Sequence, residues 1–391
     1  MEKHIKKLIN GQVITPGGIR KDHSVIVEGT KIAEITDRRI DIPEAEIIDA
    51  QGNYIAPGCI DFHLHGGGGH DFLEATPDAF RSIAQAHAKH GMTAIYATLA
   101  AAPRETFERA IRACEDVMAL PPTGARIMGL HLEGNYLNPV MAGGQDPACL
   151  YNPDPSEYIS LLSSTSCIKR WSASPELEGA LDFARYARKH GVLVSLAHTI
   201  ADYPLVKAAF EAGYTHTTHF YNAMAGVHKQ GVFKKEGTIE SIYLMDDMTV
   251  ELVCDGIHVP PSIMKLVHKV KGSERIALVT DAMFAAAYAG EVSDISDKVI
   301  VEDGVCKLSD RSALSSSIAT ADRMIRVMVG QVGVSLSDAF RMASETPAKI
   351  MGIDDRKGTL AKGMDADMIV LDSEITIWAT MVGGDIVYNR I

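Results

Sequence analysis

Between residues 57 and 347 the chain alternates two rhythms. Short apolar, β-branched runs give way to longer stretches whose apolar residues recur every three to four positions. The pattern predicts strands over 93–98, 127–131, 192–197, 215–219, 250–254 and 275–280. Between and after them it predicts helices over 80–89, 104–117, 177–189, 205–212, 262–270, 320–329 and 336–344. Thr76-Pro77 suits a helix start and Gly91 a helix stop. Both ends of the chain differ. Residues 7–9, 12–14, 24–27, 31–35 and 47–50, then 368–371, 376–379 and 385–388, read as strands parted by glycine-rich turns, Gly11 among them.

Strands that alternate with helices build a parallel sheet. Carried over nearly 300 residues, the alternation predicts an α/β protein whose centre, 57–347, is a (β/α)8 TIM barrel. An open doubly wound sheet is the runner-up, but no G-x-G-x-x-G follows a first strand. The β-rich ends, 1–56 and 348–391, are expected to form one small β-sandwich domain from both termini.

Composition narrows the function. The chain has 391 residues, with 38 Lys+Arg against 50 Asp+Glu and a net charge of −12. That balance argues against nucleic acid as a partner. No run approaches the ~18 apolar residues of a membrane span, and MEKHIKKLINGQVITP lacks the apolar core of a secretory signal. The six scattered cysteines, without a C-x-x-C, fit reduced thiols in a cytoplasmic protein.

Metal-binding residue types recur at the ends of the expected strands. Asp61, His63 and His65 stand in CIDFHLHGGGG, Glu133 in HLEG, His198 in LAHT, and His216 and His219 in THTTHF. Asp255 and His258 stand in CDGIHV and Asp281 in TDAM. In a parallel barrel those ends converge on one rim, where a one- or two-metal hydrolytic site can form. Residues i and i+2 on a strand point the same way, so His63 and His65 can reach one ion. His87, His90, His190 and His268 fall on or at the ends of helices and read as surface or capping groups. His131 is a lesser candidate, two residues before Glu133. Cys254 reads as core, and Ser315-Ser316-Ser317 lacks the G-x-S-x-G frame of a nucleophile elbow.

Taken in order, these motifs resemble the amidohydrolase superfamily, and within it the N-acetylglucosamine-6-phosphate deacetylases. HLHGGGG (63–69), HLEG (131–134), AHT (197–199), THFYNAM (218–224), DGIHV (255–259), TDAM (280–283) and GTLAKGMDADMIVLD (358–372) carry the resemblance. It implies metal-dependent hydrolysis of an N-acetyl group from an amino-sugar phosphate, and a homodimer. It implies that Glu133, His198 and His219 bind one divalent ion and that His63 and His65, with Glu133 bridging, hold a second. The cofactor is then one or two ions of Zn, Fe, Mn or Co. Asp281 matches the catalytic aspartate. Asn222, Ala223 through its backbone, and His258 match substrate contacts, His258 on the carbonyl or on a sugar or phosphate oxygen. Gln145, His228 and Lys229 are further candidate substrate contacts.

The chain departs from the pattern in four places. Gln230 stands where a phosphate-clamping arginine is usual, with His228, Lys229, Lys234 and Lys235 nearby; Lys234 and Lys235 read as a solvated loop. Asn135 replaces a proline, Met141-Ala142-Gly143 replaces K-K-G, and Leu314-Ser315-Ser316-Ser317 replaces L-A-G-S. These changes leave room for deacylation of another N-acyl amino sugar or of an N-acyl amino acid, and for a non-catalytic sugar-binding homologue.

Overall fold

Eight parallel strands follow one another around a single sheet in chain order. They are Cys59–Leu64, Met92–Ala100, Arg126–Glu133, Ile168–Ala173, Leu193–Leu196, Tyr214–Thr217, Thr249–Val253 and Ile276–Val279. The computed structural model describes every residue except 1–3, 39, 295, 297–298 and 312–313. The eighth strand returns to the first. Beyond it, Asp281 N–H donates to the His63 carbonyl at 2.9 Å and His65 N–H to that of Ala282 at 2.7 Å. Asp61 seals this seam: its carboxylate accepts from Thr280 N–H (3.0 Å), Thr280 Oγ1 (2.6 Å) and His63 N–H (3.0 Å). Burial pushes Asp61 up to about 6 despite these donors. Asp61 is therefore spent on closing the barrel.

The first helix, Pro77–Ala88, shows why helices form between the strands. Thr76 caps it through Ala79 N–H, Pro77 occupies the first turn, and Phe80, Ile83, Ala84 and His87 give one buried face at helical spacing. The expectation of a surface His87 fails here. His87 is fully buried and its Nε2 lies 2.9 Å from the Gly66 carbonyl. Gly67 permits the approach, since a Cβ there would fall 2.4 Å from His87 Nε2. The helix thus holds the glycine run that follows His63 and His65.

The terminal strands form one mixed sheet of eight. Met368–Leu371 pairs antiparallel with Tyr54–Pro57, which joins the two ends of the chain. Leu8, Val13, Val25, Ile55, Met368 and Val370 share its core. Residues 7–9 and 12–14 prove to be one strand, Ile5–Thr15. Gly11 does not break it; a Cβ there would meet Ile55 Cδ1 at 2.4 Å, so the glycine makes room for a core side chain. Helices Pro155–Ser164 and Thr238–Leu244 and strand Ile168–Ala173 were not foreseen. The strand reads IKRWSA, and its Lys169 and Arg170 hide it from an apolar pattern. Among the described residues no helix is long and apolar enough to cross a membrane.

Burial drives His87 and His216 down to about 4. Each is neutral in the fold and takes up a proton near pH 6.5 when unfolded, so the unfolded state binds more protons between pH 6.5 and 4. Stability is complete above that window and falls on acidification, by about 3 kcal/mol for His87 at its lower edge. Urea midpoints at pH 7 and 4.5 are expected to fall less steeply with pH in His87→Gln than in the natural chain. Equal slopes would show that His87 does not carry the acid loss.

Candidate metal centre

At one mouth of the barrel the strand ends bring together His63, His65, Glu133, His198, His219 and Asp281. Three of them stand just past their strands in left-handed backbone, with φ of 46° at His198, 26° at His219 and 48° at Asp281. Such conformations cost about 1–2 kcal/mol each. Here they turn the chain across the opening. His198 is held by Ser174 Oγ, which donates to its carbonyl at 2.7 Å, and His219 by its N–H on Glu251 Oε2 at 2.9 Å.

Glu133 lies at the centre, almost wholly buried. Its Oε1 is 2.8 Å from His219 Nε2 and 3.4 Å from His198 Nε2, and the two imidazole nitrogens are 3.0 Å apart. Its Oε2 is 3.4 Å from His63 Nε2 and 3.2 Å from His65 Nε2. Asp281 Oδ1 adjoins this second pair, 3.6 Å from His63 and 3.3 Å from His65. Two ligand groups result, His63–His65–Glu133 and Glu133–His198–His219, joined through one carboxylate.

The donor set fits a divalent cation. Neighbouring ligands at ~2.0–2.2 Å from a tetrahedral ion sit a little over 3 Å apart, which is the spacing seen here. The tautomers agree. His198 Nδ1 donates to the Met141 carbonyl at 2.7 Å and His63 Nδ1 to Glu251 Oε2 at 2.8 Å, so both Nε2 atoms face the cluster. Among the described residues His63 Nε2 is buried without a hydrogen-bond partner. Charge points the same way. Burial pushes the His63 imidazole down, but Glu133, Glu251 and Asp281 outweigh it and hold it well above its usual range. His65 is raised to about 9 against burial by Asp281 and Glu133. Burial pushes Glu133 up, and His63, His198 and His219 outweigh it to keep it ionised. The pocket demands positive charge.

Under the cluster the barrel interior is polar, where an apolar filling is the rule. Arg170, fully buried, donates to Ser195 Oγ (2.9 Å), Thr218 Oγ1 (2.9 Å) and the Phe62 carbonyl (3.1 Å), and pairs with Glu251. Glu251 in turn accepts from His63, from the His219 N–H, and from His216 Nε2 at 3.3 Å. His216 also meets Thr249 Oγ1 at 2.7 Å, and His131 spends its nitrogens on Thr98 Oγ1 (3.1 Å) and Ser172 Oγ (2.7 Å). Neither offers a nitrogen to the ligand cluster, although the His131 ring packs edge-on against that of His63 with 4.9 Å between centroids. Glu251 and Arg170 escaped the sequence reading, although a charge inside TVELVC or IKRWSA is a signal, because charged residues are rarely buried unpaired.

The candidate substrate contacts separate. Gln145 does not wait for a ligand: Oε1 accepts from Ala101 N–H at 2.8 Å and Nε2 donates to Glu133 Oε2 at 3.0 Å. His258 is oriented by Asp255, with Nδ1 on Oδ2 at 2.6 Å. Asn222 and Ala223 lie in the turn beyond His219, Ala223 at φ 50°, and Asn222 Nδ2 is buried without a partner among the described residues. His228 and Lys229 lie on an exposed hairpin, His228–Gln230 with Phe233–Lys235, and belong to neither ligand group. Lys235 is not simply solvated; it pairs with Asp202 at 2.7 Å.

Residues 54–387 match the amidohydrolase family. The chain is 33% identical to the N-acetylglucosamine-6-phosphate deacetylase of Vibrio furnissii over 86% of this chain and 83% of that one. It is 29% identical to the N-acetylgalactosamine-6-phosphate deacetylase of Escherichia coli O157:H7 over 96% and 97%. The solved N-acetyl-D-glucosamine-6-phosphate deacetylase of Mycobacterium smegmatis superposes with a TM-score of 0.88 at 29% identity, covering 98% of this chain and all of that one. The enzyme of the same activity from Pasteurella multocida gives 0.90 at 25%, over 98% and 99%.

Glu251→Gln leaves Arg170 buried without its counter-charge. The metal-free protein is expected to lose about 3–5 kcal/mol of stability, measured by urea unfolding. Divalent-metal affinity, measured by competition with a chelator, is expected to fall about 10–100-fold. Unchanged affinity would mean that His63 and His219 keep their places without Glu251.

Proposed function

The chain belongs to the amidohydrolase family, within it to the N-acetylglucosamine-6-phosphate deacetylases, and we propose that it hydrolyses the acetamide of N-acetylglucosamine 6-phosphate to glucosamine 6-phosphate and acetate. The observation that carries this reading is the Glu133 carboxylate, with Oε1 on His198 and His219 and Oε2 on His63 and His65, beside Asp281.

A divalent ion held by Glu133, His198 and His219, and a second by His63 and His65, would supply Lewis acidity toward the acyl oxygen and the attacking water. Asp281 does the proton work. Its carboxylate takes a proton from water as the new C–O bond forms, then gives it to the sugar nitrogen as the C–N bond breaks. One water thereby provides the hydroxyl of acetic acid and the hydrogen of the departing amine. Burial pushes His258 down, but Asp255 outweighs it and raises the imidazole, which favours a donor at Nε2 for a substrate oxygen. Asn222 Nδ2 offers a second donor, since a buried amide hydrogen without an acceptor is costly until a ligand supplies one.

Acetate release by metal-loaded protein tests the reading. N-acetylglucosamine 6-phosphate is expected to be turned over with a kcat/KM about 100-fold or more above that of the unphosphorylated sugar. The galacto epimer is assayed beside it, because the Escherichia coli relative carries that activity in its name. Faster turnover of that epimer would move the assignment to it, and equal rates without phosphate would remove phosphate from it. No acetate from any of the three would overturn the reading. Asp281→Asn is expected to lower kcat about 10²–10⁴-fold while metal content per chain, by elemental analysis, stays unchanged. Substantial remaining turnover would exclude Asp281 as the proton carrier.

A further inference from the structure

Ser316 stands against Asp281 in a backbone conformation that a serine rarely adopts, with φ of 30°. Its Oγ is 2.5 Å from the Asp281 carbonyl and 3.1 Å from Asp281 Oδ1. The approach is held from both sides. Ser317 N–H donates to the same carbonyl at 2.9 Å, Met283 N–H donates to the Ser317 carbonyl at 2.9 Å, and Ser315 N–H donates to Cys306 at 3.0 Å. Ser317 Oγ accepts from Ala319 N–H at 2.7 Å, so the turn is closed on its far side as well. Glycine would take this φ without strain, whereas a Cβ makes it unfavourable. A strained residue that persists is one its surroundings over-determine, and such residues collect at working sites.

The contacts that His63, His65 and Ser316 make with the Asp281 carboxylate all fall on Oδ1. We propose that Ser316 is a positioning residue for Asp281: its hydroxyl fixes the carboxylate torsion with Oδ1 turned to His63 and His65, so that Oδ2 is left to carry the proton. The hydroxyl has one hydrogen and two acceptors within reach, the Asp281 carbonyl and Oδ1, and it holds the carboxylate where that hydrogen is directed to Oδ1 or shared between the two. This rests on the assignment of Asp281 as proton carrier in deacetylation.

The test separates the hydroxyl from the strain. Ser316→Gly removes both, and its melting temperature is expected to equal or exceed that of the natural chain. Its kcat for N-acetylglucosamine 6-phosphate is expected to fall about tenfold, the scale of one hydrogen bond to a charged oxygen, with KM within about twofold. Ser316→Ala keeps the strain and is expected to lose kcat equally, and Ser316→Thr, which retains the hydroxyl, to recover part of it. A readout without turnover accompanies these. In crystals of Ser316→Gly grown without substrate, the separation of Asp281 Oδ1 from His65 Nε2, 3.3 Å here, is expected to spread over more than one carboxylate rotamer. A single unchanged rotamer overturns the proposal, as does full kcat in Ser316→Gly or a loss confined to KM. If the natural chain releases no acetate, the deacetylase reading fails first, and the crystal alone decides whether Ser316 sets the torsion.

Discussion

A guanidinium and a carboxylate meet inside the barrel, and the mouth is arranged around that pair. Burying Arg170 and Glu251 costs several kcal/mol per charge in desolvation, and apolar side chains could fill the same volume without it. What apolar side chains could not do is hold His63 with Nδ1 inward and Nε2 toward the cluster. Glu251 does this while also gripping the His219 N–H, and Arg170 ties Glu251 to Ser195, Thr218 and the Phe62 carbonyl. Five of the eight barrel strands, or the turns just beyond them, thus answer to one ion pair. A slip of one strand would break hydrogen bonds on its neighbours, so the pair converts barrel closure into fixed spacing at the rim.

Fixed spacing matters because three of the cluster residues occupy strained backbone. His198, His219 and Asp281 each take positive φ just beyond a strand, where a regular extended chain would carry the side chain past the opening. Each is held there by bonds from a neighbouring strand end: Ser174 to His198, Glu251 to His219, and Asp281 itself to the His63 carbonyl. The strain is local and the restraint comes from across the barrel. A cation would then be met by donors already at ligand spacing, with little rearrangement left to oppose binding.

Much of this was legible in the sequence. The helix and strand rhythm found the barrel, because burial against a parallel sheet imposes periodicity on both elements. The recurrence of His, Glu and Asp at strand ends put the six cluster residues among ten candidates, because strand ends of a barrel meet at one rim, and the family resemblance separated the six from the rest. What could not be read was which side chains meet across the interior. Asp61 and His216 looked like ligand candidates and His131 like a lesser one; Asp61 closes the seam, and both histidines spend their nitrogens on other polar groups beneath the cluster. Arg170 was passed over because its charge breaks the apolar pattern of its strand, and Glu251 because, within a strand that the pattern did predict, only the partner on another strand makes sense of its charge. His87 was assigned to the surface for the complementary reason: a histidine on a helix announces nothing of the carbonyl that it meets.

The departures from the family pattern show the same limit in sharper form. In sequence, Asn135, Gln230 and Ser316 alike read as room for another substrate. In space they do three things. Asn135 sits at φ 54°, which the proline ring cannot reach. Its side chain accepts from Ala102 N–H and donates to the Ala102 carbonyl and Tyr151 Oη, so it anchors the loop whose Met141 carbonyl fixes His198. Gln230 lies on an exposed hairpin, where exchanging arginine for an amide removes a charge without touching the cluster. Of these three side chains Ser316 reaches a cluster residue, Asp281, and in the fourth departure Met141 meets His198 through its carbonyl. The cluster geometry therefore does not depend on the hairpin, and the two can vary separately: substitutions at the hairpin leave the cluster's own contacts in place, while those at 135 and 316 change how His198 and Asp281 are held.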